Sequence, residues 1–254
     1  MKIAIIGYGK MGKMVEKAAL QKGHQVVSII DPQEKGATSA EINSMAVKDA
    51  DVCIDFTSPK GVIGNIEKLC ALKKNVVVGT TGWYGSLESV KKTVNGSGNG
   101  FIYASNFSIG MNVMFNLTRK AAEIFNKFPD YDVGGIEYHH SQKADSPSGT
   151  AKSLAEILVK NIERKKNVQY KMSEGVIAKD AIHFPSLRTG FIPGTHKIIF
   201  DSAADTIEIS HSARSREGFA LGAIIAAEWL AGKKGFYTIN DLMAQMLGEE
   251  LEKC

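Results

Sequence analysis

The residues with most chemistry per unit length lie between Gly134 and Glu156, in the run GGIEYHHSQKADSPSGTAKSLAE. Two adjacent histidines, His139 and His140, precede Lys143 and the turn Pro147-Ser148-Gly149-Thr150. Imidazole and ammonium groups can pass protons to a substrate and neutralise its charge. The turn leads into a helical pattern in which Ser148 is placed as N-cap, with Ala151, Leu154, Ala155, Leu158 and Ile162 at helical spacing. A helix N-terminus offers unpaired N–H groups and the positive end of a dipole, so it binds anions. An anion site beside proton donors fits a small acidic substrate. The ordinary alternative is a strand–loop–helix corner carrying surface His and Lys. Neighbours on a strand face opposite sides, so His139 and His140 need not share a role. Adjacent histidines chelate a single metal poorly, and neither an H-x-x-x-H pattern nor a carboxylate partner is evident, so no metal is expected. Proton transfer and charge neutralisation fall to Lys143 and one histidine, carboxylate binding to the Ser148-Gly149-Thr150 turn.

A second chemical signal lies at the N-terminus. Lys2–Ile6 reads as a short buried strand, followed by Gly7-Tyr8-Gly9-Lys10-Met11-Gly12, a full G-x-G-x-x-G. A helix follows with Met14, Val15, Ala18 and Ala19 on its apolar side, then a strand, Gln25–Ile30, that ends at Asp31. Gly7 permits the tight turn, Gly9 lets backbone approach a pyrophosphate, and Gly12 lets the helix pack on the strand. Asp31 stands where an acid accepts hydrogen bonds from the adenosine ribose. A dinucleotide site combined with the His/Lys loop implies hydride transfer to an electron-poor carbon of an acidic substrate.

These residues need a frame. Strands are expected at 51–56, 75–78 and 101–104, with helices starting at Ser58 (N-cap, Pro59 first) and spanning Tyr84 to Val94. Alternating strands and helices imply a Rossmann-type doubly wound parallel sheet in an α/β protein. Ligands of such sheets lie beyond the carboxyl ends of the strands, where Thr57, Gly79-Thr80-Thr81 and Ala104-Ser105-Asn106-Phe107 fall. A long helix over 108–128 and a strand over 131–140 lead to the central loop. Short alternating strands follow at 181–184, 187–192, 195–200 and 206–211, as in an antiparallel or mixed sheet. A second α+β domain is therefore expected over 107–216. Helices over 219–231 and 240–251 would rejoin the first domain, making it discontinuous, 1–106 and 217–254.

Composition bounds the partners. The chain has 254 residues, 44% of them apolar, enough for a real core. Net charge is +4 with no basic block and no aromatic–basic interleaving, which argues against nucleic acid and mildly favours anionic small molecules. Cys53, Cys70 and Cys254 show no C-x-x-C spacing and suit a reducing cytoplasm. The apolar N-terminal run is too short for a signal peptide, and the longest apolar run, 219–232, contains Glu228, so no membrane span is expected.

The run from Glu137 to Ala151 resembles the signature of the 4-hydroxy-tetrahydrodipicolinate reductase (dihydrodipicolinate reductase) family, E-x-H-H-x-x-K-x-D-x-P-S-G-T-A. Further matches are Gly7–Gly12, Asp55-Phe56-Thr57, Gly79–Gly82, Asn106–Asn112 and Ser212–Arg216, so the resemblance spans nearly the whole chain. It implies a step of lysine biosynthesis, a nicotinamide cofactor, a cyclic dicarboxylate substrate and a homotetramer built through the second domain's sheet. It implies His139 as acid/base and Lys143 as proton donor, with His140, Gly149 and Thr150 on the substrate carboxylates. Residues Gly7–Gly12, Asp31, Gly79–Thr81 and Ala104–Phe107 would contact the cofactor. One departure bears on the cofactor. Pro32 follows Asp31 where the family often has arginine, which favours NADH over NADPH; Lys35 is the nearest substitute cation. Two other readings stay open: another oxidoreductase of this architecture, such as an amino-acid dehydrogenase, or a non-catalytic dinucleotide sensor.

Overall fold

The computed structural model describes residues 1–248. The chain divides into two compact units, Met1–Ile109 with the segment from Arg216 onward, and Gly110–Ser215. In chain order the first unit holds β1 (Lys2–Ile6), α1 (Lys10–Gln21), β2 (Gln25–Ile30), β3 (Val52–Asp55) and α2 (Val62–Ala71), then β4 (Asn75–Val78), α3 (Leu87–Ser97) and β5 (Gly100–Tyr103). The second contains nearly all of α4 (Ile109–Phe125), then β6 (Asp132–His139), α5 (Gly149–Asn161), β7 (Asn167–Gln169), β8 (Ala181–His183), β9 (Ser186–Arg188), β10 (Thr195–Asp201) and β11 (Thr206–Ser212). The chain then returns to the first unit with α6 (Glu217–Leu230), β12 (Gly235–Thr238) and α7 (Ile239–Leu247).

The first sheet has the order β12-β5-β4-β3-β1-β2, and every pair in it is parallel. Its central strands are buried on both faces, which is why Ile3–Ile6, Val52–Ile54 and Val76–Val78 are apolar without alternation. Helix α6 lies against α1, β4 and β5. Gly222 makes that fit possible, because a Cβ there would sit 1.7 Å from the Phe107 carbonyl oxygen.

The second sheet is mixed. Strand β10 pairs antiparallel with β6 and β11, while β8 and β9 pair parallel with β6 and β7 with β8. Side chains alternate along β6, so Val133, Gly135, Glu137 and His139 are buried while Gly134, Ile136 and Tyr138 are half-buried. One apolar cluster, including Met114, Leu154, Leu158, Phe184, Ile198 and Phe200, forms the core of this unit.

Three expectations need correction. The Ser58-Pro59 signal marks a turn, not a helix start: the Ser58 carbonyl accepts from Gly61 and Val62, both at 3.1 Å, and α2 begins at Val62. Strands β7 and β12 were not foreseen. The strand expected over 187–192 is only Ser186–Arg188. Helix α7 stops at Leu247 because Gly248 takes the left-handed conformation, φ 69°; residues 249–251 of the expected helix lie outside the described residues.

Candidate active site

In the first unit the Gly-rich turn has the features a diphosphate requires. Gly7 has φ +85°, and a Cβ on it would meet the Phe56 carbonyl oxygen at 2.5 Å. A Cβ on Gly12 would stand 2.1 Å from the Gly7 carbonyl oxygen, so α1 can lie this close to the turn only with glycine there. Gly9 is the N-cap residue of α1 and has no atom within 4 Å of its would-be Cβ, leaving the helix N-terminus open. Lys10 is exposed and Met11 half-buried on the first turn of α1. Asp31 closes the far side. Its Oδ2 accepts from the Tyr8 N–H at 2.8 Å and its Oδ1 from Gln33 and Glu34 N–H at 2.8 and 3.1 Å. Burial pushes the Asp31 carboxyl up, but these three donors and Lys13 outweigh it and keep the group below the ordinary carboxylate range. Lys13 pairs with Glu34 at 3.0 Å. Lys35 is exposed.

The strand-end loops meet at a hub that sequence reading overlooked. Asp55, fully buried, accepts from Thr57 N–H at 3.0 Å, Thr57 Oγ1 at 2.8 Å, Thr80 Oγ1 at 2.7 Å and Asn65 Nδ2 at 2.8 Å. Burial raises its pKa and these donors only partly oppose that. Thr80 also accepts from Thr57 N–H at 2.7 Å, and its carbonyl takes the Trp83 indole N–H at 2.8 Å. The loops after β3 and β4 are thus fixed to each other. They border a cleft of about 200 Å³ lined by Met11, Phe56, Thr57, Pro59, Gly79, Thr80 and Thr81. Gly79 lies flat on the Phe56 ring, where a Cβ would approach to 2.1 Å. After β5, Ala104 and Phe107 are buried, Ser105 is exposed, and the Asn106 side chain accepts from Ser108 N–H at 2.9 Å. A dinucleotide fits these residues: an open helix N-terminus for its phosphates, a charged acid for a ribose, and a rigid cleft at the strand ends.

In the second unit β6 delivers Glu137 and His139 to one face, as alternation requires, and His140 follows the end of the strand, half-buried. Glu137 is fully buried. Its Oε1 accepts from Ser148 N–H at 2.9 Å, Ser186 Oγ at 2.6 Å and Arg188 Nη2 at 2.8 Å, and its Oε2 accepts from Ser148 Oγ. Burial alone would raise this carboxyl; the Ser148, Ser186 and Arg188 donors bring it down to about 2. The His139 Nδ1 stands 3.3 Å from Glu137 Oε2, and His196 Nδ1 from β10 stands 3.9 Å from it. Burial lowers both imidazoles, only partly opposed by Glu137, and takes His196 to about 4.

The Ser148 hydroxyl serves the fold. Ser148 is buried, caps α5 by accepting from Ala151 N–H at 3.1 Å, and donates to Glu137. The expectation that it faces substrate is corrected: it positions the turn. Gly149 is exposed and Thr150 half-buried on the first turn of α5, where N–H groups have no intrahelical acceptor. Lys143 Nζ donates to Asp145 Oδ1 at 2.6 Å, and this bond holds the Asp145 carboxyl below its usual range. Arg188 Nη2 also donates to the Asp145 carbonyl at 2.8 Å, tying the loop to β9.

The statement that His139 lacks a carboxylate partner is also corrected, because Glu137, His139 and His196 bring one oxygen and two ring nitrogens within 4.8 Å of one another. That spacing could hold a cation, yet the carboxylate already takes four hydrogen bonds, one of them from a guanidinium. Arg188, Ser186 and His196 come from strands distant in sequence and carry no local signal. Glu137 did carry one, standing two residues before His139 and hence on its face.

Comparison with known proteins gives a consistent result. The model for the N-terminus of dihydrodipicolinate reductase matches residues 1–107, and that for its C-terminus matches 110–243. A 4-hydroxy-tetrahydrodipicolinate reductase of Christiangramia forsetii is 38% identical over 97% of this chain and 99% of its own length. One of Buchnera aphidicola subsp. Schizaphis graminum is 39% identical over 95% and 96%. Among solved structures, a dipicolinate-bound dihydrodipicolinate reductase of Paenisporosarcina sp. shares the fold, with TM-score 0.80 over 95% of this chain and 99% of that one at 24% identity. Matches that cover both halves and relatives aligned end to end make the chain a member of the dihydrodipicolinate reductase family, NAD(P)H-dependent oxidoreductases of lysine and diaminopimelate biosynthesis.

Proposed function

We propose that this chain reduces 4-hydroxy-tetrahydrodipicolinate to tetrahydrodipicolinate, using NADH at least as well as NADPH, as a homotetramer in the cytosol. The observation that carries the reading is the Glu137 carboxylate. It accepts from the N-cap residue of α5 and stands 3.3 Å from the His139 ring, so an anion-binding helix end and an acid/base group share one anchor. A cyclic dicarboxylate needs both.

When bound, the dihydronicotinamide supplies the hydride. Gly7 to Gly12, with Tyr8, Lys10 and Met11, hold the diphosphate at the α1 N-terminus. Asp31 takes the ribose hydroxyls, while Thr57, Gly79, Thr80, Thr81 and the Ala104-Ser105-Asn106-Phe107 loop border the cleft. Charged Asp31, followed by Pro32 and near Glu34, repels a ribose phosphate. Lys13 is already paired with Glu34 and offers little compensation. In the second unit His140, Gly149 and Thr150 hold the substrate carboxylates. Reduction replaces the 4-hydroxyl by hydrogen: the hydroxyl leaves as water with a proton from the neighbouring ring carbon, hydride adds to the conjugated double bond so formed, and Lys143 with His139 protonates the carbanion that results. The buried, unbridged thiols of Cys53 and Cys70 suit a reducing compartment. No helix among the described residues is long and apolar enough to cross a membrane.

Calorimetry with a planar pyridine dicarboxylate tests the assignment. Saturable binding that Thr150→Ala weakens is expected. Unchanged binding in that variant, or turnover of amino acids in place of the cyclic substrate, would overturn the reading and favour an amino-acid dehydrogenase.

A further inference from the structure

The proposed reaction uses Glu137 as an anchor and gives it no part in the proton transfer. Among the described residues its Oε1 is filled by three donors, whereas Oε2 accepts only the Ser148 hydroxyl. The remaining side of Oε2 faces two ring nitrogens, His139 Nδ1 at 3.3 Å and His196 Nδ1 at 3.9 Å. Both nitrogens are buried, and among the described residues no hydrogen-bond partner with good geometry meets either. Buried polar groups take a partner wherever one is in reach, so an ionised oxygen at this distance draws a proton toward it.

We propose that Glu137 is a positioning residue that fixes neutral His139 as the tautomer protonated on Nδ1, leaving the Nε2 lone pair to exchange protons with the substrate. The inference rests on the reading of His139 as the acid/base. Geometry on the far side of the ring supports it. A Cβ on Gly194 would stand 3.0 Å from His139 Nε2, so the bare glycine, at φ +153°, leaves that nitrogen room. The charged and titratable groups facing His139 are Glu137 on its own strand, Arg188 of β9, His196 of β10, and Lys143 with Asp145 on the loop. His196 is the cross-strand neighbour of Glu137, and its ring meets that of His139 edge-on at 5.3 Å between centroids. His196 remains neutral near neutral pH, so it adds no charge that would pull Glu137 away from His139.

The direct test is an imidazole ¹H–¹⁵N correlation spectrum of the full-length protein, with the His139 signals assigned by their loss in His139→Ala. A protonated Nδ1 with an unprotonated Nε2 is expected; the opposite tautomer overturns the proposal. Glu137→Gln supplies a second readout. Losing the carboxylate removes the support it gives the imidazolium, so the acid limb of the kcat/KM profile moves to lower pH. In the same variant kcat falls roughly 10–100-fold, as expected for losing a hydrogen bond to a charged group, with KM little changed. Glu137→Asp returns the limb toward its wild-type position. A folded Glu137→Gln variant with an unmoved limb contradicts the proposal, and the wild-type tautomer decides if that variant does not fold. Full kcat in His139→Ala would instead remove the acid/base reading while leaving the tautomer assignment standing.

Discussion

At the scale of single residues, the proposed reading separates groups in the central loop that act on the reaction from groups that hold the substrate. Removing a positioned general acid or base lowers rate by about 10²–10⁴-fold. His139→Ala and Lys143→Ala are therefore expected to lower kcat strongly with a modest change in KM. In the proposed reading Thr150 would meet a carboxylate in ground and transition states alike, so Thr150→Ala should mainly raise KM. Steady-state kinetics of the three variants check this; near-full kcat in Lys143→Ala would show that the Lys143–Asp145 pair is only structural. His196 gives a pH prediction. Its folded pKa, about 4, lies below the ordinary 6.5, so the unfolded chain binds the proton first as pH falls. The stabilisation is present above pH 6.5, shrinks between 6.5 and 4, and is gone below that. A displacement of this size corresponds to roughly 3 kcal/mol. Tm of the wild type should therefore fall more steeply than that of His196→Gln across this window; parallel curves would contradict the assignment. His139, His140 and Lys143 stand out in the sequence as candidates by their type and spacing. Glu137 was passed over because glutamate in a strand ordinarily marks the solvent face, whereas here four donors make its burial tolerable.

At the scale of elements, local signals worked where the chain satisfies its own backbone and failed where a distant partner decides. The β1–turn–α1–β2 unit and the Ser148 cap were legible because glycine spacing, cap chemistry and helical periodicity agree over a short stretch. The start of α2 was misplaced because Ser58-Pro59 suits a turn as well as a helix N-terminus. Strand β12, only Gly235–Thr238, exists because it pairs with β5 in the register Phe236 with Phe101, a contact no local pattern encodes. The Asp55 hub is likewise a product of two loops meeting. The tightness of the first turn leads to a prediction. Gly12→Ala would drive a methyl to 2.1 Å from the Gly7 carbonyl oxygen, and overpacking of this kind destabilises by about 1–3 kcal/mol. A lower Tm and weaker NADH binding are expected, with binding of the pyridine dicarboxylate retained. Unchanged NADH affinity would mean that the turn is not the diphosphate cradle.

At the scale of the molecule, the discontinuous chain path builds one parallel and one mixed sheet, each with its own core. The second unit also carries exposed apolar side chains, among them Met172, Val176, Leu187, Phe191 and Ile207. The homotetramer proposed above would cover surface of this kind. Light scattering at micromolar concentration should report four chains; a monomer would contradict it. The central claim, that this chain reduces the cyclic dicarboxylate with a nicotinamide cofactor, is tested most directly by one assay. It follows loss of NADH, with NADPH in parallel, using substrate freshly generated by the preceding condensation step. Substrate-dependent NADH oxidation is predicted, with kcat/KM at least equal to that for NADPH. No loss of either cofactor above the enzyme-free control would contradict the account.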